Sequence, residues 1–315
     1  MSSLPKNILG IDVAKNKVDT HLLPAGQTGH VGRTRSALKR WIKTLGPVDL
    51  AVMESTGGLE KLVAEVLEQA GIPVAVVNPA RVHYFAKATG SRAKTDPVDA
   101  ALIAEFGLKM RPRPRVRPSV AQARLTGLCR RRDELVVMRA AEKTRLSSAT
   151  DRETIAGLRR HFRFLSREIA RLEAKIDSLV RSEDRWAETA ALVRSVTGVG
   201  KKTAWALLAH LPELGSLTRR QAAALAGLAP YARDSGQWQG RRFISGGRAE
   251  LRRGVYMAAV SASQHNPVLR EFYRRLIQAG KPPKLALTAV MRRLLVILNA
   301  IVRDGQIRQL GPQNT

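Results

Sequence analysis

A single cysteine, Cys129, stands in 315 residues. That excludes a disulfide framework and any cysteine zinc site built by this chain alone, and it fits a reducing cytoplasm. Aromatic residues are only 4% of the chain, so stacking on unpaired bases is not expected to dominate its binding. Long apolar runs are lacking as well. The most apolar C-terminal stretch, Leu294 to Val302, is too short to span a bilayer and contains Asn299. No charged segment followed by an apolar one comes after Met1, so no export signal is expected. His83, His161, His210 and His265 share no ligand spacing. Acids are scarce beside bases: 26 Asp plus Glu face 54 Lys plus Arg, a net charge of +28. A field of that size favours a polyanion, either nucleic acid or an anionic membrane surface. The membrane reading lacks a suitable segment, which leaves nucleic acid.

A hydrophobic content of 44% is ordinary for a folded protein, and the length suits two domains. From about Asn7 to Phe106 the pattern is α/β. Ile8 to Val13 and Lys17 to Leu23 read as a strand hairpin through Lys15-Asn16, Leu50 to Met53 and Val74 to Val77 as buried strands. Leu38 to Leu45 and Leu59 to Ala70 read as helices, the latter stopped by Gly71. Alternating strands and helices predict a mainly parallel sheet with the hairpin at one side. Alternate prolines then make Arg111 to Pro118 an extended connector. It is either a solvated linker or a strap along a phosphate backbone, through Arg111, Arg113, Arg115 and Arg117. Beyond it, Ile155, Leu158, Phe162, Leu165, Ile169, Leu172, Ile176 and Leu179 recur at spacings of 3, 4, 3, 4, 3, 4 and 3. This heptad seam must be buried against another helix, either an antiparallel partner within Val120 to Arg145 or a second chain. From about Ala190 the chain is helical with glycine-rich breaks.

Four acids stand out. Asp12 and Glu54 end two apolar strands, and Asp96 and Asp99 sit in Lys94-Thr-Asp-Pro-Val-Asp-Ala. Pro97 suits a first helical position, with Asp96 as cap and Asp99 one turn on. Carboxylates so placed can converge on Mg²⁺, which takes oxygen ligands and shares its shell with substrate phosphate. They could equally be a helix cap and two loop-edge acids.

The run from Gly227 to Arg248 has the composition of a functional loop. Ser235 precedes Gly236 among Arg233, Arg241, Arg242 and Arg248, with Trp238 nearby. A serine oxygen attacks phosphorus only if the developing charge is neutralised, which arginine forks can do. The alternative is a plain turn whose arginines hold DNA; Ser245, before Gly246-Gly247, is a rival nucleophile. Upstream, Val196-Thr-Gly-Val-Gly-Lys-Lys-Thr resembles the turn of a helix-hairpin-helix module, in which Gly198 and Gly200 admit a phosphate and Lys201 and Lys202 add charge. The spacing is not that of a P-loop.

Together these motifs resemble the DEDD transposases of bacterial insertion sequences (the IS one-ten group) and their relatives, the pilin-gene invertases. Gly-Ile-Asp-Val-Ala-Lys, Glu-Ser-Thr-Gly and Lys-Thr-Asp-Pro-Val-Asp-Ala carry the likeness in the first half. Gly-Leu-Ala-Pro, Asp-Ser-Gly and Gly-Gly-Arg carry it in the last third. The resemblance implies an RNase H-like (RuvC-like) α/β domain over 1–118, a helical coiled-coil segment over 119–188, and a mainly α-helical transposase domain over 189–315. It implies that Asp12, Glu54, Asp96 and Asp99 hold Mg²⁺, with Mn²⁺ as a substitute, and that Ser235 becomes joined to DNA. It further implies donor and target double-stranded DNA, a structured guide RNA from the element, and a homo-oligomer, dimer or tetramer. Acids and serine are then expected to form one composite centre. A metal-dependent junction or repair nuclease, using water as nucleophile, is the competing reading.

Overall fold

The structure, a computed structural model, describes residues 5–90, 96–231 and 242–305, with the backbone alone for 96–98. The chain divides into two compact units, Met1–Arg117 and Pro118–Thr315. The first contains strands β1 (Ile8–Val13), β2 (Lys17–Leu23), β3 (Gln27–Gly32), β4 (Leu50–Glu54) and β5 (Val74–Val77), with helices α1 (Arg35–Ile42), α2 (Glu60–Gln69), α3 (Pro79–Ala88) and α4 (Asp96–Met110). The sheet order is β3-β2-β1-β4-β5. β1 pairs parallel with β4, and β4 with β5, whereas β2 runs antiparallel to both β1 and β3. The expected parallel sheet with a lateral hairpin is thus present, extended by one strand. β3, sequence QTGHVG, is almost wholly exposed. An edge strand with no buried face has no apolar alternation to reveal it.

Strand periodicity sorts the core into two layers. Leu9, Ile11, Ala51 and Met53 face Leu38 of α1 and Val63, Ala64 and Leu67 of α2. Ile8, Leu50, Val52, Ala75 and Val77 face Val82 of α3 and Ile103, Ala104 and Phe106 of α4. The second layer is unusually close. A Cβ on Gly10 would overlap the Ala100 carbonyl oxygen and the Ala104 nitrogen, and one on Gly107 would stand 2.7 Å from Ile8 Cγ2 and 2.8 Å from Val52 Cγ2. α4 therefore lies directly on the sheet, its start over the carboxyl end of β1 and its later turns over Ile8.

After α4 the proline–arginine segment folds back onto the same unit. The Arg115 N–H donates to the Val74 carbonyl at 2.8 Å, blunting the edge strand β5. Its guanidinium grips the buried Glu68 carboxylate with bonds of 2.6 and 2.9 Å. Arg111, Arg113 and Arg117 stay exposed.

The second unit begins with an antiparallel helical hairpin, α5 (Val120–Ser148) and α6 (Arg152–Arg181). Leu125 and Cys129 pack against Ile176 and Val180, and farther out Leu135 packs against Leu165 and Ile169. Of the two partners open to the heptad seam, the structure uses the one within the chain. Cys129 is buried there, and desolvation with the nearby Asp133 charge pushes its thiol up to about 12. At the hairpin base, Gln122 Nε2 donates to the Leu208 carbonyl at 3.0 Å and Thr126 Oγ1 to the Ala209 carbonyl at 2.9 Å.

Helices α7 (Asp184–Arg194), α8 (Lys201–His210), α9 (Arg219–Leu225), α10 (Ala249–His265), α11 (Pro267–Gln278) and α12 (Pro283–Asp304) form the rest, with a short ribbon of β6 (Pro230–Tyr231) and β7 (Phe243–Ile244). α12 is the one helix among the described residues long and apolar enough to cross a membrane. It is instead the axis of this core, with Val290, Met291, Leu294, Leu295, Leu298 and Ile301 all buried. Asn299, buried on it, accepts from Gly215 N–H at 2.9 Å and donates to the Leu217 carbonyl at 2.8 Å. Gly10→Ala should cost roughly 1–3 kcal/mol through overpacking, seen as a lower urea midpoint. Gly46→Ala, where nothing lies within 4 Å of the added methyl, should leave that midpoint in place.

Candidate functional site

β1 and β4 run parallel in a register that pairs Gly10 with Val52 and Ile11 with Met53. One step on, Asp12 and Glu54 come side by side, both on the face that α4 covers. The contact of Ala100 with Gly10 brings the neighbouring Asp99, on the first turn of α4, to the same end. Burial pushes the half-buried Glu54 carboxyl above the usual glutamate range, and the negative charges of Asp12 and Asp99 push it further. Three carboxylates thus share one region at the carboxyl ends of parallel strands, where α/β sheets commonly place ligands. Asp96 begins α4, but its side chain lies outside the described residues.

The loop after Glu54 is held by Glu60, whose buried carboxylate accepts from Thr56 N–H at 3.0 Å and Gly58 N–H at 2.8 Å. Gly57 and Gly58 have φ of 66° and 106°, which lets the chain turn directly beyond the acid. Asp19 escaped the sequence reading. It stands across β1–β2 from Asp12, buried, with Lys17 Nζ at 3.1 Å. Its signal was the alternation Lys17-Val-Asp-Thr-His, which puts both charges on one face of β2.

Among the described residues no group of three histidine, cysteine or acidic side chains is arranged to hold a metal ion. The donor set still suits one. It is all carboxylate oxygen, the preference of Mg²⁺ and Mn²⁺, and the repulsion raising Glu54 is what a divalent cation would turn into attraction.

Several basic candidates form ion pairs within the second unit, Lys201 and Lys202 while remaining exposed. Gly200 caps α8, and Gly198, at φ 101°, leaves no room for a Cβ, which would lie 2.7 Å from Ala262 of α10. Lys201 pairs with Asp177 at 2.8 Å and Lys202 with Glu173 at 2.9 Å, both acids on α6. Burial pushes the Glu173 carboxyl up, but hydrogen bonds from Lys202 and Arg132 outweigh it and hold the group below its ordinary range. Arg248 forms a two-bond fork with Glu213, at 2.7 Å each, and donates to the His210 carbonyl at 2.8 Å. These contacts fasten the downstream stem of the serine segment. Arg252 adds a bond to the Gly246 carbonyl at 2.7 Å, where Gly227 and Gly247 meet too closely to admit a Cβ. Arg242 and Ser245 are exposed. Ser235, with Arg233, Trp238 and Arg241, lies outside the described residues.

Comparison with known proteins gives a consistent likeness. A family model described as transposase, of the IS110 DEDD type, matches residues 9–154. A second, described as transposase of the IS116/IS110/IS902 family, matches residues 190–274. The pilin gene-inverting protein of Moraxella bovis is 30% identical over 96% of this chain and 98% of its own length. That of Moraxella lacunata is also 30% identical, with the same coverage. An insertion element IS110 protein of 43.6 kDa from Streptomyces coelicolor is 32% identical over 42% of this chain and 33% of its own length.

The raised Glu54 carboxyl has a consequence for stability. A folded state that holds this proton more tightly keeps Glu54's full contribution below the ordinary value of 4.5, and loses it as pH rises through the folded value. Glu54→Gln should therefore raise the thermal midpoint at neutral pH in EDTA, with the advantage vanishing below that value. Added Mg²⁺ should stabilise the parent protein more than the variant.

Proposed function

Because this chain belongs to the DEDD transposases and recombinases of the IS110 family, relatives of the pilin-gene invertases, we propose that it cuts and rejoins DNA by two transesterifications on Ser235. In the first, Ser235 Oγ attacks a scissile phosphate, a phosphoserine ester forms, and the phosphate–sugar ester breaks. The serine proton ends on the released sugar hydroxyl. In the second, a sugar hydroxyl of the new partner strand attacks the phosphoserine and the proton returns to Ser235. One ester is exchanged for another at each step, so rejoining needs no external energy source.

The observation that carries the metal half of this reading is the gathering of Asp12, Glu54 and Asp99 at one end of the sheet. With Asp96 at the head of the same helix, these four acids would hold Mg²⁺ or Mn²⁺. When bound, the ion supplies Lewis-acid neutralisation of phosphoryl charge. The protein's own part is to hold the acids on rigid elements and to crowd them. Lys17 pairs with Asp19 on the neighbouring strand.

Sequence recognition is proposed to lie in a structured RNA encoded by the element, with the protein holding backbone and shape. The net charge of +28 with only 4% aromatic residues supports this division. A homo-oligomer, acting on donor and target duplexes in the bacterial cytoplasm, completes the proposal; for the Moraxella relatives the corresponding event is inversion of a pilin gene. The test is trapping on a cognate duplex followed by denaturing electrophoresis. The parent protein should give a covalent protein–DNA adduct, and Ser235→Ala none. Adduct from the Ala variant moves the nucleophile elsewhere, Ser245 first. Cleavage by the parent without any adduct means water is the nucleophile and the protein a nuclease.

A further inference from the structure

Where α11 meets α12, two arginines from different helices converge on one aromatic ring. Arg275 of α11 and Arg293 of α12 place their guanidinium carbons 5.6 and 4.7 Å from the Phe272 ring centroid. Both arginines are exposed and neither has a carboxylate partner among the described residues. The nearest acid in sequence, Glu271, sits three and four residues before Arg274 and Arg275, the usual spacing for a helical ion pair, yet forms none. Elsewhere in this unit two basic side chains that converge share an acid, as Arg132 and Lys202 do at Glu173 and Arg181 and Lys201 do at Asp177. Two like charges drawn to one ring without an acid repel each other, and the ring face recovers only part of that cost.

A guanidinium laid on a ring keeps its in-plane N–H donors free, and those donors match phosphate oxygens two at a time. Lys281 and Lys284, exposed in the short connection and first turn of α12, add charge of the same sign. We propose that Arg275 and Arg293, held by Phe272, form a backbone phosphate site for duplex DNA. Duplex DNA is the occupant because the family acts on DNA and because the site presents cations without an exposed ring face for an unpaired base. The site reads no sequence; it fixes the duplex against the second unit. The proposal is independent of the serine chemistry, and its readout is binding alone.

The experiment uses the full-length protein and a fluorescent random-sequence duplex in anisotropy titrations across a salt series. Losing two phosphate contacts should lower the slope of log affinity against log salt by about 1.8, at roughly 0.9 per phosphate. Arg275→Gln with Arg293→Gln should do this equally on unrelated duplexes. Arg159→Gln with Arg163→Gln, on α6, removes the same net charge and should lower the slope by much less. Phe272→Leu keeps both charges and should weaken binding less than the double variant. Thermal melts of each variant report whether it is folded. Equal effects of the α11–α12 and α6 pairs would overturn the proposal, since only net charge would then matter. So would a loss confined to an RNA duplex run in parallel, which would assign the surface to RNA.

Discussion

The N-terminal unit depends on the absence of side chains between one helix and the sheet. Gly10 and Gly107, with Ala100 and Ala104 between them, let α4 settle onto β1 and β4 at backbone distance. Everything at the acid end follows from that approach. A larger residue at Gly10 would lift the first turn, and Asp99 with it, away from Asp12 and Glu54. Packing therefore does what no hydrogen bond among the acids could do: it forces like charges together, and apolar burial supplies the free energy that opposes their repulsion.

The second unit shows a different use of charge. Several of its basic side chains are engaged with acids on neighbouring elements: Arg132 with Glu173, Lys202 with the same carboxylate, Lys201 with Asp177, and Arg248 with Glu213. Those pairs lock the hairpin base to α8 and the serine stem to the core. They also show that a net charge of +28 is not spread evenly over function. Some positive side chains, Lys201 and Lys202 among them, brace the fold through ion pairs, and others, such as Arg275 and Arg293, stand beside an aromatic ring without an acid among the described residues.

Much of this organisation was legible in the residues. The strands of the central sheet announce themselves as apolar runs ended by Asp12, Glu54 and Asn78, and the seam of α6 by its regular spacing. β3 was not legible, because an exposed edge needs no apolar alternation. The alternation places Asp19 on one face of β2, but not opposite Asp12, since that register belongs to the pairing of two strands. Arg115 read as one of four equivalent arginines, and Lys201 and Lys202 as free phosphate ligands. Their partners Glu68, Asp177 and Glu173 are distant in sequence, so nothing local signals the ion pairs.

What the sequence alone determined is the set of chemical possibilities. A chain with one cysteine, few aromatics and a twofold excess of bases over acids is directed to a polyanion, and its acids at two strand ends and a helix start leave open either a metal site or a plain cap with loop-edge acids. Composition and spacing suffice for that because charge and periodicity are properties of the chain itself. Only the tertiary structure decided that Glu54 shares its surroundings with Asp12 and Asp99, that the α6 seam closes on α5, and that α12 is a core axis. Those outcomes depend on which surfaces meet, and that is set by the steric fit of residues far apart in sequence, Gly10 against Ala100 above all.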